Sequence, residues 1–245
     1  MLQGRISFGL PLCIVLLLAA AGAAFAQGIE AKLSQRAVQI PASSGVFEQL
    51  TEIAKSYKIP MGIERIGEDG QDASARLRTD IGSRNQRLTV RSLIGEILKG
   101  ATGYRATVAD GVLLIAKPEV MKSDRNFLNL KIPHYQVSNQ NLYGAQAQLR
   151  LAIDRALDPE KYAGGYNLGY GYAPGSILSA PIISINESGA TVRDIMNEII
   201  RQSGHAMWIV HLVPAKTKPG ARYFAQDEWP TPGFQWLFIP FEGTK

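Results

Sequence analysis

Two periods alternate along the chain after residue 27, and each change of period marks a new element. Ala37–Ile40 reads as a short strand stopped by Pro41, with Ser43 and Ser44 placed to cap the first helix. Val46, Phe47, Leu50, Ile53, Ala54 and Tyr57 recur at helical spacing and predict that helix. Lys58–Pro60 closes it, because a residue before proline is pushed out of the α region. Met61–Ile66 is apolar and short, hence a strand. Ala75, Leu77 and Ile81 suggest a ragged strand, with Arg76 and Arg78 on its wet side. Val90, Leu93, Ile94, Ile97, Leu98 and Ala101 form a second helical stripe behind an N-cap at Thr89, with Gly100 and Gly103 at its exit. Tyr104–Val108 and Val112–Ala116 flank Asp110-Gly111, the pair that supplies the positive φ angles of a two-residue hairpin.

The second half repeats the alternation. Glu119–Arg125 reads as a charged linker, and Leu128, Leu130 and Ile132 alternate with polar residues as in a half-buried strand. Ser138 and Asn139 are placed to cap a third helix, whose stripe is Leu142, Ala145, Leu149, Ala152, Ile153 and Ala156. Residues 163–181 break the pattern: five glycines among tyrosines predict a long loop. Ile182–Ile185 is a strand. Thr191 and Asp194 suit a capping box for a fourth helix with Val192, Ile195, Met196, Ile199 and Ile200 inward. Gly204 ends it, Ala206–Val213 is a strand, and Trp236–Phe241 reads as an edge strand that tolerates Pro240.

One phrase therefore occurs twice. Thr89-Val90-Arg91 leads to Leu93, Glu96, Ile97 and Gly103; Thr191-Val192-Arg193 leads to Ile195, Glu198, Ile199 and Gly204. Each phrase is a helix entering a strand.

Composition adds an address. Leu10–Ala21 is almost unbroken Leu, Ile, Val and Ala, preceded by Arg5 and followed by Ala24-Phe25-Ala26, the order of a secretory signal peptide over residues 1–26. Its cleavage removes Cys13, the single cysteine, and with it any disulfide or thiolate chemistry. The formal charge is +5, and only Arg5 lies in the removed segment, so the balance is mild. Nucleic-acid binding, which needs clustered basic residues, is not expected, and no membrane span is expected after cleavage.

Candidate chemistry is thin. His205 and His211 would share one face of a strand roughly 20 Å apart, too far for two ligands of one metal. No Gly-x-Ser-x-Gly elbow is present, and neither cofactor nor catalytic residue is expected. Glu48, Glu52, Glu96 and Glu198 fall on helix faces among Lys and Arg, and read as solvated surface before they read as an acid pair. The Gly-rich loop lacks the spacing of a phosphate or dinucleotide loop. Its tyrosines Tyr162, Tyr166, Tyr170 and Tyr172 are the candidate partner-binding residues, against the plainer reading of a loop packed on its own rings. Trp229 and Trp236 carry the same two readings, with core packing favoured.

The stretch Ala37–Lys117 resembles the secretin and TonB short N-terminal domain. The marks are Ile40-Pro41 before a helix, Phe47…Leu50…Ile53-Ala54 followed by Tyr57-Lys58-Ile59-Pro60, Leu93…Ile97-Leu98…Gly103-Tyr104, and the Asp110-Gly111 hairpin. The second half, through Trp208, looks like a diverged copy. The expected fold is α+β: two small domains, 37–118 and 128–245, each with two helices on a mixed sheet, joined by a linker at 119–127. The resemblance implies a non-enzymatic periplasmic module that binds another envelope protein of a secretion, pilus or TonB-type system. A peptidoglycan or polysaccharide binder using the Gly/Tyr loop is the alternative, and an envelope hydrolase the remote third.

Overall fold

The computed structural model describes residues 28–37, 45–66, 88–124, 126–157, 159–160, 181–212 and 235–241. The signal segment, the ragged strand at 75–81 and the Gly/Tyr loop lie outside them. The fold is α+β with a mixed sheet.

Helix α1 (28–33) precedes α2 (Val46–Tyr57), β1 (Met61–Ile66), α3 (Val90–Leu98), β2 (Arg105–Ala109) and β3 (Val112–Ala116). Next come a single helical turn α4 (Pro118–Met121), β4 (Tyr135–Gln140), α5 (Leu142–Leu157), β5 (Ile183–Glu187), α6 (Val192–Ser203), β6 (Ala206–Leu212) and β7 (Gln235–Pro240). Five strands form one sheet in the order β2-β3-β1-β6-β7, and β4 pairs with β5 in a separate two-stranded sheet. The expected pair of sheets, one in each half, is thus replaced by a shared one. β1 lies parallel to β3 on one side and to β6 on the other, with Gly62 opposite Trp208 and Ile66 opposite Leu212. The join needs no turn, because parallel strands are linked by crossovers.

The alternation of side chains sorts the core into two clusters. Leu113, Ile115, Met61, Ile63 and Met207 point to one face, where α1, α2 and α3 cover them. Val112, Leu114, Trp208, Val210 and Leu212 point to the other, under α5 and α6. Tyr135, Val137, Ile183 and Ile185 close that second core from beyond the helices. The order of layers is α2–α3, the five-stranded sheet, α5–α6, then β4–β5. A strand buried on both faces reads as a continuous apolar run, which is why β3 is Val-Leu-Leu-Ile-Ala.

Local chemistry fixes the element ends. Asp110 and Gly111 have φ of 50° and 79°, as the hairpin requires. Thr89 and Thr191 cap α3 and α6 with nearly identical backbones, φ −78° and ψ 160° against φ −77° and ψ 160°. The Thr191–Asp194 capping box is formed, and Gly204 ends α6 in the left-handed region.

Four local expectations are corrected. The N-cap of α2 is Gly45, with no side-chain cap bond. Leu128 and Leu130 do not belong to a strand: Phe127–Asn129 is a 3-10 turn, started by Asn126, whose side chain accepts from the Leu128 amide. Only Lys131 makes a bridge, to Thr191. The charged linker begins inside α4, which spans Pro118–Met121. Ser138 and Asn139 lie within β4, and Asn141 starts α5 by accepting from the Gly144 amide at 2.8 Å.

Tyr135 offers a test of the second core. Its hydroxyl donates to the Ala145 carbonyl at 2.8 Å, and burial raises its pKa above the ordinary 10.0. The folded chain therefore keeps a proton that the unfolded chain releases once pH passes 10. This group leaves stability unchanged below that pH and lowers it above. Tyr135→Phe should lose about 1 kcal/mol at neutral pH through the missing hydrogen bond. It should also show a shallower alkaline loss than the parent, read from urea midpoints on either side of pH 10.

Candidate functional site

The polar interior comes first, since a buried charge needs a reason. Glu64, on β1, and Arg193, in the first turn of α6, are both buried and meet with Nε to Oε1 at 2.6 Å. Asn126 Nδ2 donates to the other Glu64 oxygen at 2.9 Å and to the Val120 carbonyl at 3.2 Å. Arg193 also donates to Asn129 Oδ1, while Asn129 Nδ2 donates to the carbonyls of Met121 and Ser123, both at 2.8 Å. A strand of the first half, the connecting turn and a helix of the second half are thus tied at one point. Glu64 and Arg193 each have more than one protein partner, so the cluster acts as a clasp between the two halves. Sequence reasoning missed it. The one signal was Arg193 in a phrase whose other copy, Arg91, pairs with Glu30 on the surface.

The carboxylates on the helix faces are also engaged. Glu96 pairs with Lys99 at 2.7 Å at the surface, and Glu198 with Arg201 in a part-buried pair, so the matched positions carry pairs of the same spacing. Asp110, Glu187, Asp194 and Glu198 line a cleft of about 270 Å³ together with Asn197 and Arg201. Asp194 is committed to the Thr191 cap, Glu198 to Arg201 and Gln202, and Asn197 Oδ1 to the Trp208 indole at 3.0 Å. Among the described residues no group of three His, Cys, Asp or Glu could hold a metal.

His134 lies at the surface near Ser188 and Gln136. His205 immediately precedes β6 and His211 lies on it, six residues apart. Tyr162, Tyr166, Tyr170, Tyr172 and Trp229 lie outside the described residues. Trp236 is placed by its backbone in β7, opposite Val210.

A different surface stands out. On the α2 face, the sheet extends past the helices: Ile209 on β6 and Ile239 on β7 are only partly buried. With Phe47 and Thr51 of α2 they line a groove of about 590 Å³, rimmed by Glu48, Glu52 and Arg65. Arg65 lies over the Phe47 ring, 5.4 Å from its centroid. Phe47 in turn meets Tyr104 edge-on at 5.1 Å, which holds the wall of the groove.

No family model, curated protein or solved structure matches this chain. Its chemistry must be read from its own residues. Among the described residues no helix is long and apolar enough to cross a membrane. The groove joins an apolar floor to a charged rim, beside β7, the last strand of the sheet among the described residues.

Proposed function

We propose that the chain is a non-enzymatic exported adaptor that binds another protein of the bacterial envelope, as part of a secretion, pilus or TonB-type system. In this reading it holds two copies of the secretin and TonB short N-terminal fold, 37–118 and 128–245, built onto one sheet. One set of matched contacts carries the reading. Arg36 bridges to Thr89, and Lys131 bridges to Thr191. The Val90 amide donates to the Gln35 carbonyl at 2.9 Å, and the Val192 amide to the Leu130 carbonyl at 3.0 Å. Ala37 donates to Leu88, and Ile132 to Ala190, at 2.7 and 2.9 Å. The same strap therefore crosses the same helix start in both halves, as a duplication would leave it. Among the described residues the two buried ions, Glu64 and Arg193, pair with each other, which supports a role carried by the surface.

The test is cross-linking in intact cells of the producing bacterium, followed by fractionation. The reading expects processing at Gln27, recovery in the periplasmic fraction and a reproducible protein adduct. Recovery in the cytoplasm, or sedimentation with insoluble peptidoglycan and no protein adduct, would contradict it.

A further inference from the structure

We infer that the cleft between the β2–β3 hairpin, the end of β5 and α6 binds a small basic amino acid such as lysine. Its ammonium groups lie against Asp110 and Glu187, and its carboxylate accepts from the Asn197 side-chain amide. The site does not depend on the adaptor reading.

Charge supplies the first argument. Asp110, Glu187, Asp194 and Glu198 line the cleft, and Arg201 is the only cationic side chain among its lining residues. The chain as a whole carries +5, so this recess has the opposite sign to its surroundings. A recess of one sign focuses its field and draws in counter-charge. Glu198 is engaged by Arg201 and Gln202, and Asp194 by the Thr191 cap. Asp110 and Glu187 are exposed, and among the described residues neither carboxylate has a hydrogen-bond or ion-pair partner. Both backbones are fixed, Asp110 by the hairpin turn and Glu187 by its pairing with Tyr135. The carboxylates do not converge on a point, since among the described residues no three of them could hold a metal ion. That spacing suits an organic cation whose charges stand several atoms apart.

A buried amide supplies the second argument, independent of the carboxylates. Asn197 lines the same cleft although it is only 6% exposed. Its Oδ1 accepts from Trp208 Nε1 at 3.0 Å. An indole N–H can only donate, so this contact settles which way the amide points. Nδ2 is the half that remains, and among the described residues it has no acceptor. A donor in such a place is ordinarily satisfied, and here the acceptor has to come from outside the chain. Exposed carboxylates around a buried donor ask for a ligand of both signs. A plain diamine brings no acceptor, and an acidic amino acid meets repulsion from the carboxylates. The volume of about 270 Å³ is at the small end for ligand pockets and admits one amino acid, not a polypeptide segment.

The test titrates lysine into the isotope-labelled mature chain, from residue 27 onward, and follows amide signals by NMR. Saturating shifts are expected at Asp110, Gly111, Glu187 and the Asn197 side chain. Cadaverine, which keeps both amines and lacks the carboxylate, should bind about tenfold more weakly or worse, and so should glutamate. Asp110→Asn with Glu187→Gln should weaken lysine about tenfold or more. Both positions are exposed and Asn suits the hairpin as Asp does, so this variant keeps the fold. Asn197→Asp keeps an acceptor for the indole, removes the donor, and should erase the preference for lysine over cadaverine. Should that buried change unfold the chain, the cadaverine comparison on the parent still decides the role of the amide. No saturating shift at about 10 mM lysine would overturn the inference. So would equal binding of cadaverine to the parent, lysine binding unchanged by the double variant, or shifts confined to other parts of the chain.

Discussion

Gly62→Ala should cost about 3 kcal/mol of stability or more, although it adds one methyl group. An added Cβ would lie 2.2 Å from Trp208 Cζ2, 2.4 Å from Cε2 and 2.9 Å from a Leu114 methyl. Real side-chain atoms do not approach so closely, and the indole is fully buried with no room to retreat. Moving it would also strain the Nε1 bond to Asn197, a buried amide that would lose its partner. Gly62 and Trp208 are register partners across β1 and β6, so the missing side chain on one strand is what admits the ring of the other. The cost is checked by chemical denaturation of the purified variant. Combining Gly62→Ala with Trp208→Leu should cost less than the two single changes added together. A Gly62→Ala variant within about 0.5 kcal/mol of the parent would show that the ring does not cross Gly62.

The second large effect belongs to the clasp. Glu64→Gln, or Arg193→Met, removes one buried ion and strands the other, at about 3–5 kcal/mol. Breaking the matching surface pair, by Arg91→Met, should cost no more than about 1 kcal/mol, because water solvates the Glu30 that is left. Replacing both clasp ions, with Glu64→Leu and Arg193→Met, should recover much of the loss. Urea denaturation of the four variants separates the terms. If each clasp variant cost as little as Arg91→Met, the burial of Glu64 and Arg193 would be wrong.

The features legible in the sequence are the local ones. The helix stripes, the Thr89 and Thr191 caps, the Asp110-Gly111 hairpin and the strand holding Pro240 rest on neighbours within a few residues, and the structure has each of them. Long-range features were not legible. Nothing near Met61–Ile66 announces that Ala206–Leu212 will lie beside it, since parallel pairing leaves no turn signature. Glu64 sits where an alternating strand would put a wet residue, and only the distant Arg193 makes burial tolerable. β4 was hidden by its polar run Gln136, Ser138, Asn139 and Gln140, and by a register shift between Val137 and Gln140. Leu128 and Leu130 show the reverse error: an alternating pattern that the Asn126 cap winds into a 3-10 turn. The groove was invisible for the same reason as the shared sheet, as Phe47, Arg65, Ile209 and Ile239 meet only when β1 and β6 pair.

The sharing of one sheet by both halves is tested most directly by cysteine pairing across β1 and β6. The chain has a single native cysteine, Cys13, so expression from residue 27 leaves a clean background. Arg65 and His211 are register partners. Arg65→Cys with His211→Cys should oxidise readily in the folded protein, because neighbouring strands bring Cα atoms within disulfide range. Arg65→Cys with Gln235→Cys spans two strand spacings, roughly 10 Å, and should stay reduced. A 65–211 pair that stays reduced under the same mild oxidant, or a 65–235 pair that closes as readily, would contradict a common sheet.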